Sequence, residues 1–228
     1  MENNLKHVAL IMDGNRRWAK EHNLPTLEGH RQGEERIEPL VDTAIEMGIS
    51  YLTFWAFSTE NWQREKREVE FLMKLYRTIL DRKADNFHKK NVRINCIGNL
   101  SLFSSDLQEK TKRWMEQTKN NKLITVNLAL SYGGKDEIVR AVNKWQKENK
   151  KNKELTKDIL ADYLDTANQP DPDLIIRTGG EKRLSGFLMW QSEYSELYFT
   201  KTFWPDFTPA KFRLAIAEYK RRQRRFGK

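Results

Sequence analysis

Cysteine is nearly absent. Cys96 is the one thiol among 228 residues, so neither an internal disulfide nor a cysteine-built zinc site can form. No apolar run approaches the roughly 18 residues of a membrane span; the longest, 49–57, is interrupted by Ser50 and Thr53. Residues 1–6 are polar and carry no apolar stretch of the kind a secretory signal needs. The sequence has no G-x-x-x-x-G-K-[ST] phosphate loop and no G-x-G-x-x-G after its first apolar run. His7, His22 and His88 stand without partners at metal-ligand spacing, and no internal repeat is visible. Acidic residues are in deficit, with 32 Asp plus Glu against 41 Lys plus Arg and a net charge of +9. The apolar share of 38% is too high for a disordered chain. The expectation is a soluble, cytoplasmic protein in which residues 1–228 form a single domain.

The positive charge admits a basic solvated surface, a nucleic acid, an anionic membrane or a phosphorylated substrate. It is uneven, with Lys220, Arg221, Arg222, Arg224 and Arg225 close together and a second polar run over 147–157 that reads as a solvated helix end and loop. Short apolar runs predict strands at 7–12, 51–57, 92–97, 125–130, 174–177 and 197–199. Longer stretches of helical period predict helices over 29–47, 66–88, 105–118, 135–148, 156–164 and 209–225. This alternation predicts an α/β fold with a largely parallel central sheet of about six strands flanked by helices. The runs VALIM and LTFWAF are apolar on both faces, as buried parallel strands are.

Four strands run at once into unusual polar segments: Asp13-Gly14-Asn15-Arg16-Arg17-Trp18, Ser58-Thr59-Glu60-Asn61-Trp62, Ser131-Tyr132-Gly133-Gly134 and Thr178-Gly179-Gly180-Glu181-Lys182-Arg183. In a parallel sheet these loops share the carboxyl edge, where α/β proteins bind ligands. A helix starting near Asn15 would favour an anion, with Arg16 and Arg17 adding charge. Asp13 would repel a bare phosphate, so its presence suggests a bridging Mg²⁺; the same residues also read as an Asp helix cap with basic neighbours. Arg177, Arg183 and Ser185 around Gly179-Gly180 can hold a second diphosphate, or form a glycine turn with surface charge. Ser58 to Trp62 reads as polar ligand groups beside an indole, or as a helix cap with a core Trp. His30 beside Arg31 reads as a diphosphate ligand or a helix-start residue. Cys96 reads as inert core.

Together these segments resemble the cis-prenyltransferase family, whose best-known members are undecaprenyl diphosphate synthases. The resemblance rests on HVALIMDGNRRWAK, Gly29-His30, FSTENW, VNLALSYGG, DLIIRTGGEKRLSGFLMWQSEYSELYFTKTFWPDF and RRQRRFG, in family order from His7 to Gly227. It implies Mg²⁺-dependent condensation of isopentenyl diphosphate with an allylic diphosphate to a (Z)-polyprenyl diphosphate, a glycan carrier lipid precursor. Asp13 then matches the catalytic, Mg²⁺-binding aspartate. Gly14, Asn15, Arg16, Arg17, Trp18 and His30 match the allylic diphosphate site, and Ser58, Thr59, Glu60, Asn61, Trp62 and Arg64 the second substrate segment. Arg177, Arg183 and Ser185 match the isopentenyl diphosphate site, and Glu196 a second Mg²⁺ ligand. Asn61 matches the residue proposed to help remove the proton, although a neutral amide is a weak base. A homodimer is implied, with Arg225 and Gly227 of one subunit reaching the other's diphosphate site. Peripheral membrane contact is implied, and a nucleic-acid partner is not. The hydrocarbon is expected in an apolar tunnel walled partly by Phe71, Leu72, Leu75 and Ile79.

Four positions depart from the bacterial pattern: Arg16 for a frequent glycine, Thr26 for a phosphate-contacting arginine, Lys182 for a frequent histidine and Glu65 for a common proline. They open an alternative on the same fold, a short-chain or irregular prenyl diphosphate synthase. A non-catalytic pairing subunit is a further rival, opposed by the presence of Asp13, Asn61, Arg177, Arg183 and Glu196.

Overall fold

A computed structural model describes residues 5–149 and 154–222. Six strands form one sheet: β1 (His7–Ile11), β2 (Tyr51–Ser58), β3 (Val92–Ile97), β4 (Ile124–Tyr132), β5 (Leu174–Arg177) and β6 (Glu196–Phe199). Their order is β3-β4-β2-β1-β5-β6, and every pairing is parallel. The helices are α1 (Asn15–Glu21), α2 (Thr26–Glu34), α3 (Ile37–Glu46), α4 (Lys66–Lys89), α5 (Ser105–Thr118), α6 (Gly134–Glu148), α7 (Lys157–Tyr163) and α8 (Pro209–Arg221). The expected α/β fold and six-strand sheet are present.

The strands are buried on both faces, as their unbroken apolar runs require. Val8, Leu10, Leu52 and Phe54 join one core, with α3, α4 and α8 packed over it. Ala9, Ile11, Ala129 and Ile175 point the other way, onto Phe187 and Leu188. The single helix expected over 29–47 is instead two, α2 and α3, separated at Glu35 and Arg36. Pro39 is the reason: it has no N–H for the Glu35 carbonyl, and its ring would clash with that carbonyl in a continuous helix. In the first turn of α3 its missing N–H costs nothing. Helix α8 ends at Arg221, short of the expected 225.

One row of buried polar side chains crosses the sheet. Asn127 Nδ2 donates to Thr53 Oγ1 at 2.9 Å and to Gln169 Oε1 at 2.7 Å, and Asn95 Nδ2 donates to Asn127 Oδ1 at 2.9 Å. His7 Nδ1 lies 2.7 Å from the Pro170 carbonyl, so it carries the proton, and Nε2 then accepts from the Thr53 hydroxyl at 2.8 Å. Every group is matched only with a neutral imidazole. Burial accordingly pushes the His7 pKa down to about 4, against the weaker opposing effects of the Pro170 carbonyl and Asp173.

The unfolded chain binds a proton at His7 below about pH 6.5, and the folded chain does so only near pH 4. Stability from this site is therefore present above pH 6.5 and lost between 6.5 and 4, by roughly 3 kcal/mol. Denaturant midpoints measured over that range should fall for the native chain and fall less steeply for His7→Gln.

Candidate active site

The carboxyl edge of the sheet brings the first and last polar loops onto one residue. Gly14 adopts a left-handed φ of 111° as the chain leaves β1 for α1, and a Cβ there would meet the Phe203 ring at 2.6 Å. That turn leaves Asp13 between two guanidinium groups: Oδ2 accepts from Arg177 Nη2 at 2.9 Å and Oδ1 from Arg17 Nη2 at 3.0 Å. Its main-chain carbonyl accepts from Thr178 Oγ1 at 2.6 Å and from the Trp204 N–H at 3.1 Å. Arg177 is itself buried, and its Nη1 donates to Ser185 Oγ at 2.9 Å. Arg183 is exposed and paired with Glu181, whose other oxygen lies 3.5 Å from Arg17.

The glycines of the Thr178 loop fasten the main chain. Gly179 and Gly180 have φ near +80°, but their N–H groups donate to the carbonyls of Thr202 and Thr200 at 2.8 Å. They stitch the loop to the chain beyond β6 and are not free to meet an anion.

An open cavity of about 650 Å³ lies over the first loop, lined by Asp13, Gly14, Asn15, Arg16, Arg17, Lys20, Thr26, His30 and Arg64. A contiguous space of about 220 Å³ joins Asp13, Asn15 and His30 to Ser58, Asn61, Arg64 and Arg177. Positive charge dominates, with Asp13 as the one carboxylate in either lining. Asp13 keeps lone pairs free on both oxygens. One carboxylate beside a space sized and charged for phosphate oxygens is a donor set that suits Mg²⁺.

Asn61 sits in a 3-10 turn, Thr59–Gln63. Its Oδ1 accepts from the Ser58 N–H at 3.1 Å. A main-chain N–H can only donate, so this contact fixes the amide orientation and leaves the NH₂ as the group of Asn61 available to a ligand in the 220 Å³ space that it borders. Arg64 Nη1 donates to Glu68 Oε1 at 2.8 Å, and His30 Nε2 contacts the same oxygen at 3.2 Å. His30 Nδ1 faces Asn15 Nδ2 at 3.5 Å. Burial first, then the Arg64 charge, lowers the His30 pKa, so the ring is neutral at pH 7 and both nitrogens are already engaged.

Several expected residues do not border these cavities. Trp18 Nε1 donates to Asp206 at 2.9 Å and the indole stacks on His22 at 4.2 Å; it fastens α1 to the chain before α8. Trp62 donates to Ser131 Oγ at 2.9 Å and packs edge-on to Phe57 and Phe103. Thr59 donates to Glu60 at 2.9 Å and abuts Gly133. These residues support the wall. Glu196 opens β6 level with Leu174, three residues before the Arg177 end of β5, about 10 Å down the strand direction. There it pairs with Arg222 at 2.9 Å. The two carboxylates expected to share a metal therefore do not converge within one chain. Among the described residues no group of three His, Cys, Asp or Glu could hold a metal unaided. Arg225 and Gly227 lie outside the described residues.

Lys20 and Glu68 join the site without belonging to any of the four polar loops. Lys20 lies four residues after Arg16 and Glu68 four after Arg64, the spacing that puts side chains on one helix face.

A sheet edge that gathers arginines around a lone carboxylate, beside an apolar cavity bordered by Met12, Phe57, Leu72 and Ile79, has the chemistry that an amphipathic anion needs. The comparisons make this specific. A family model described as putative undecaprenyl diphosphate synthase matches residues 11–227. An isoprenyl transferase of Wolinella succinogenes is 47% identical over 225 residues, covering 99% of this chain and 97% of that protein. A crystal structure of lavandulyl diphosphate synthase from Lavandula x intermedia in complex with dimethylallyl diphosphate superposes with a TM-score of 0.93 at 34% identity, covering 98% of both chains. A probable undecaprenyl diphosphate synthase from Campylobacter jejuni gives 0.84 at 40% identity, over 99% of this chain and 100% of that one. The chain belongs to the undecaprenyl diphosphate synthase family. It is a cis-prenyltransferase.

Gly179 and Gly180 share a left-handed backbone, so alanine at either should cost about 1–2 kcal/mol of strain. Only at Gly179 would the new Cβ meet Arg17 Nη2 at 2.7 Å and the Asp13 main chain at 3.1 Å; at Gly180 the nearest atom is 3.9 Å away. Gly179→Ala should therefore lose far more turnover than Gly180→Ala, measured beside thermal melts that bring out the strain common to both.

Proposed function

We propose that the chain condenses isopentenyl diphosphate with an allylic diphosphate, with Mg²⁺, and releases a polyprenyl diphosphate that serves as a glycan carrier lipid precursor. The observation that carries this is the junction beside Asp13, where Met12, Asn15 and His30 border both of two adjoining spaces. A cation-lined space for diphosphate opens directly onto an apolar cavity under Met12, Phe57, Leu72 and Ile79. A head of high negative charge on a hydrocarbon tail is the ligand that fits both.

In this reading the allylic diphosphate lies over Gly14, Asn15, Arg16 and Arg17, with Arg64 and Lys20 completing the wall. Isopentenyl diphosphate lies against Arg177, Arg183 and Ser185. The double bond of isopentenyl diphosphate attacks C1 of the allylic partner, the C–O bond breaks, diphosphate leaves, and a proton is lost from C2 to give the cis double bond. Bound at Asp13, Mg²⁺ would offset charge on the departing diphosphate. The surrounding arginines act on the same developing charge, which makes electrostatic stabilisation the main catalytic effect of this chain. Asn61 acts as a donor that orients substrate, because its oxygen is already committed to Ser58, and the departing diphosphate takes the proton.

The enzyme is proposed to work as a homodimer, with Arg225 and Gly227 of one subunit reaching the other's diphosphate site and the rest of the C-terminal basic run aiding peripheral contact with an anionic bilayer. No helix among the described residues is long and apolar enough to cross a membrane. The second reading, a short-chain or irregular synthase, draws on the likeness to the synthase bound to dimethylallyl diphosphate and on Thr26 and Glu65.

Purified protein with labelled isopentenyl diphosphate and primers of increasing length should give a regular polyprenol ladder after dephosphorylation. Chelation of divalent metal or Asp13→Ala should lower its rate at least a hundredfold, on the order of one lost electrostatic contact. A single short or branched product instead supports the second reading, and no product from any primer removes both. Asn61→Asp separates donor from base: loss of the NH₂ should depress turnover on the order of a hundredfold, whereas a base role predicts retained or raised activity.

A further inference from the structure

Below the Asp13 edge, α2 and α4 face each other across apolar space. A cavity of about 90 Å³ lies there, and Phe71, expected in its wall, does not border it, whereas Leu72, Leu75 and Ile79 do. A second cavity, of about 40 Å³, begins where the first ends. Ile37, Ala56, Tyr76, Ile79 and Leu130 border both, and Phe87 and Trp114 close the far side. The passage between them has one charged feature. Glu34 borders both cavities and Lys83 the deeper one, with Glu34 Oε1 at 2.5 Å from Lys83 Nζ.

The pair is mostly buried, with side chains 14% and 22% exposed, and Glu34 Oε1 has no aligned hydrogen bond. Lys83 is also 3.9 Å from Glu38 Oε2. Helix α4 is thus fastened to α2 at two levels: at the diphosphate end through Glu68 and His30, and fifteen residues further along α4, about 22 Å, through Lys83 and Glu34. Between the two fastenings the contacts are apolar and incompletely filled.

We propose that the Glu34–Lys83 pair is a latch that determines product length. It rests on the reading above, in which the apolar cavity receives the prenyl tail. The tail enters from the diphosphate end and meets the pair at the passage. To go deeper it must separate two opposite charges in apolar surroundings, where their attraction is poorly screened, or push α4 away from α2. The latch therefore favours release of chains that fill the upper cavity over chains that occupy the lower one. With both ions removed, the passage has apolar walls throughout and the two cavities merge.

The test is product sizing from the same primer with the full chain. Removing one partner would strand a buried charge, so the variants change both. Glu34→Ala/Lys83→Ala should shift the polyprenol ladder to longer products by at least one isoprene unit. The exchanged pair, Glu34→Lys/Lys83→Glu, should return it toward the native distribution. Glu34→Gln/Lys83→Met keeps side-chain volume and serves if the alanine pair fails to fold; it should lengthen products as well. A ladder that is unchanged or shortened in the double variants overturns the latch. This outcome differs from failure of the underlying reading, in which the native chain itself makes no ladder.

Discussion

The site depends on one carboxylate held between two guanidinium groups. Asp13 closes the gap between β1 and β5 through Arg177 and fixes the first turn of α1 through Arg17. Its main-chain carbonyl simultaneously binds Thr178 and Trp204. Loops from three places in the sequence therefore take their positions from one residue. The arrangement also answers an electrostatic problem. Arg177 is buried, and a buried guanidinium without an anion is costly; Asp13 supplies that anion while keeping oxygen lone pairs available to a ligand.

The same charge imbalance separates supporting residues from ligand-facing ones. Arg17 and Arg64 are paired with Asp13 and Glu68, so their positions are set before any ligand arrives. Positioned charge of this kind needs little rearrangement during reaction, which is the condition for strong stabilisation of a leaving anion. The neutral His30 belongs to this supporting set. A charged imidazole would add to the repulsion from Arg64 and Arg16, the charges that together with burial lower its pKa.

Strand runs and helix periods were legible because each element buries a continuous face, and the four polar loops because parallel strands bring their ends to one edge. What escaped was pairing. Whether Trp18 faces a ligand or Asp206, and whether the Gly179 and Gly180 amides are free or bound to Thr202 and Thr200, depends on chain arriving from 20 to 188 residues away. Glu196 was legible as a carboxylate near a motif, but its depth in the sheet follows from the β5–β6 register, which no local pattern records. The break between α2 and α3 was readable from Pro39, whose effect falls four residues upstream of the ring.

The departures from the bacterial pattern take on a different meaning once placed. Arg16, where a glycine is frequent, and Thr26, where an arginine is frequent, border the same cavity. The positive charge missing at one wall is present at the other, so the pocket keeps its character. Glu65, in place of a common proline, caps α4 with φ −51°, a value that proline also adopts. The turn is therefore the same, and the difference lies in the freedom of the unfolded chain. Lys182 is exposed in the loop beside Arg183, where it adds charge of the sign already present. None of the four reaches the apolar space between α2 and α4. They bear on how the head group is held, and the proposed latch concerns the tail alone.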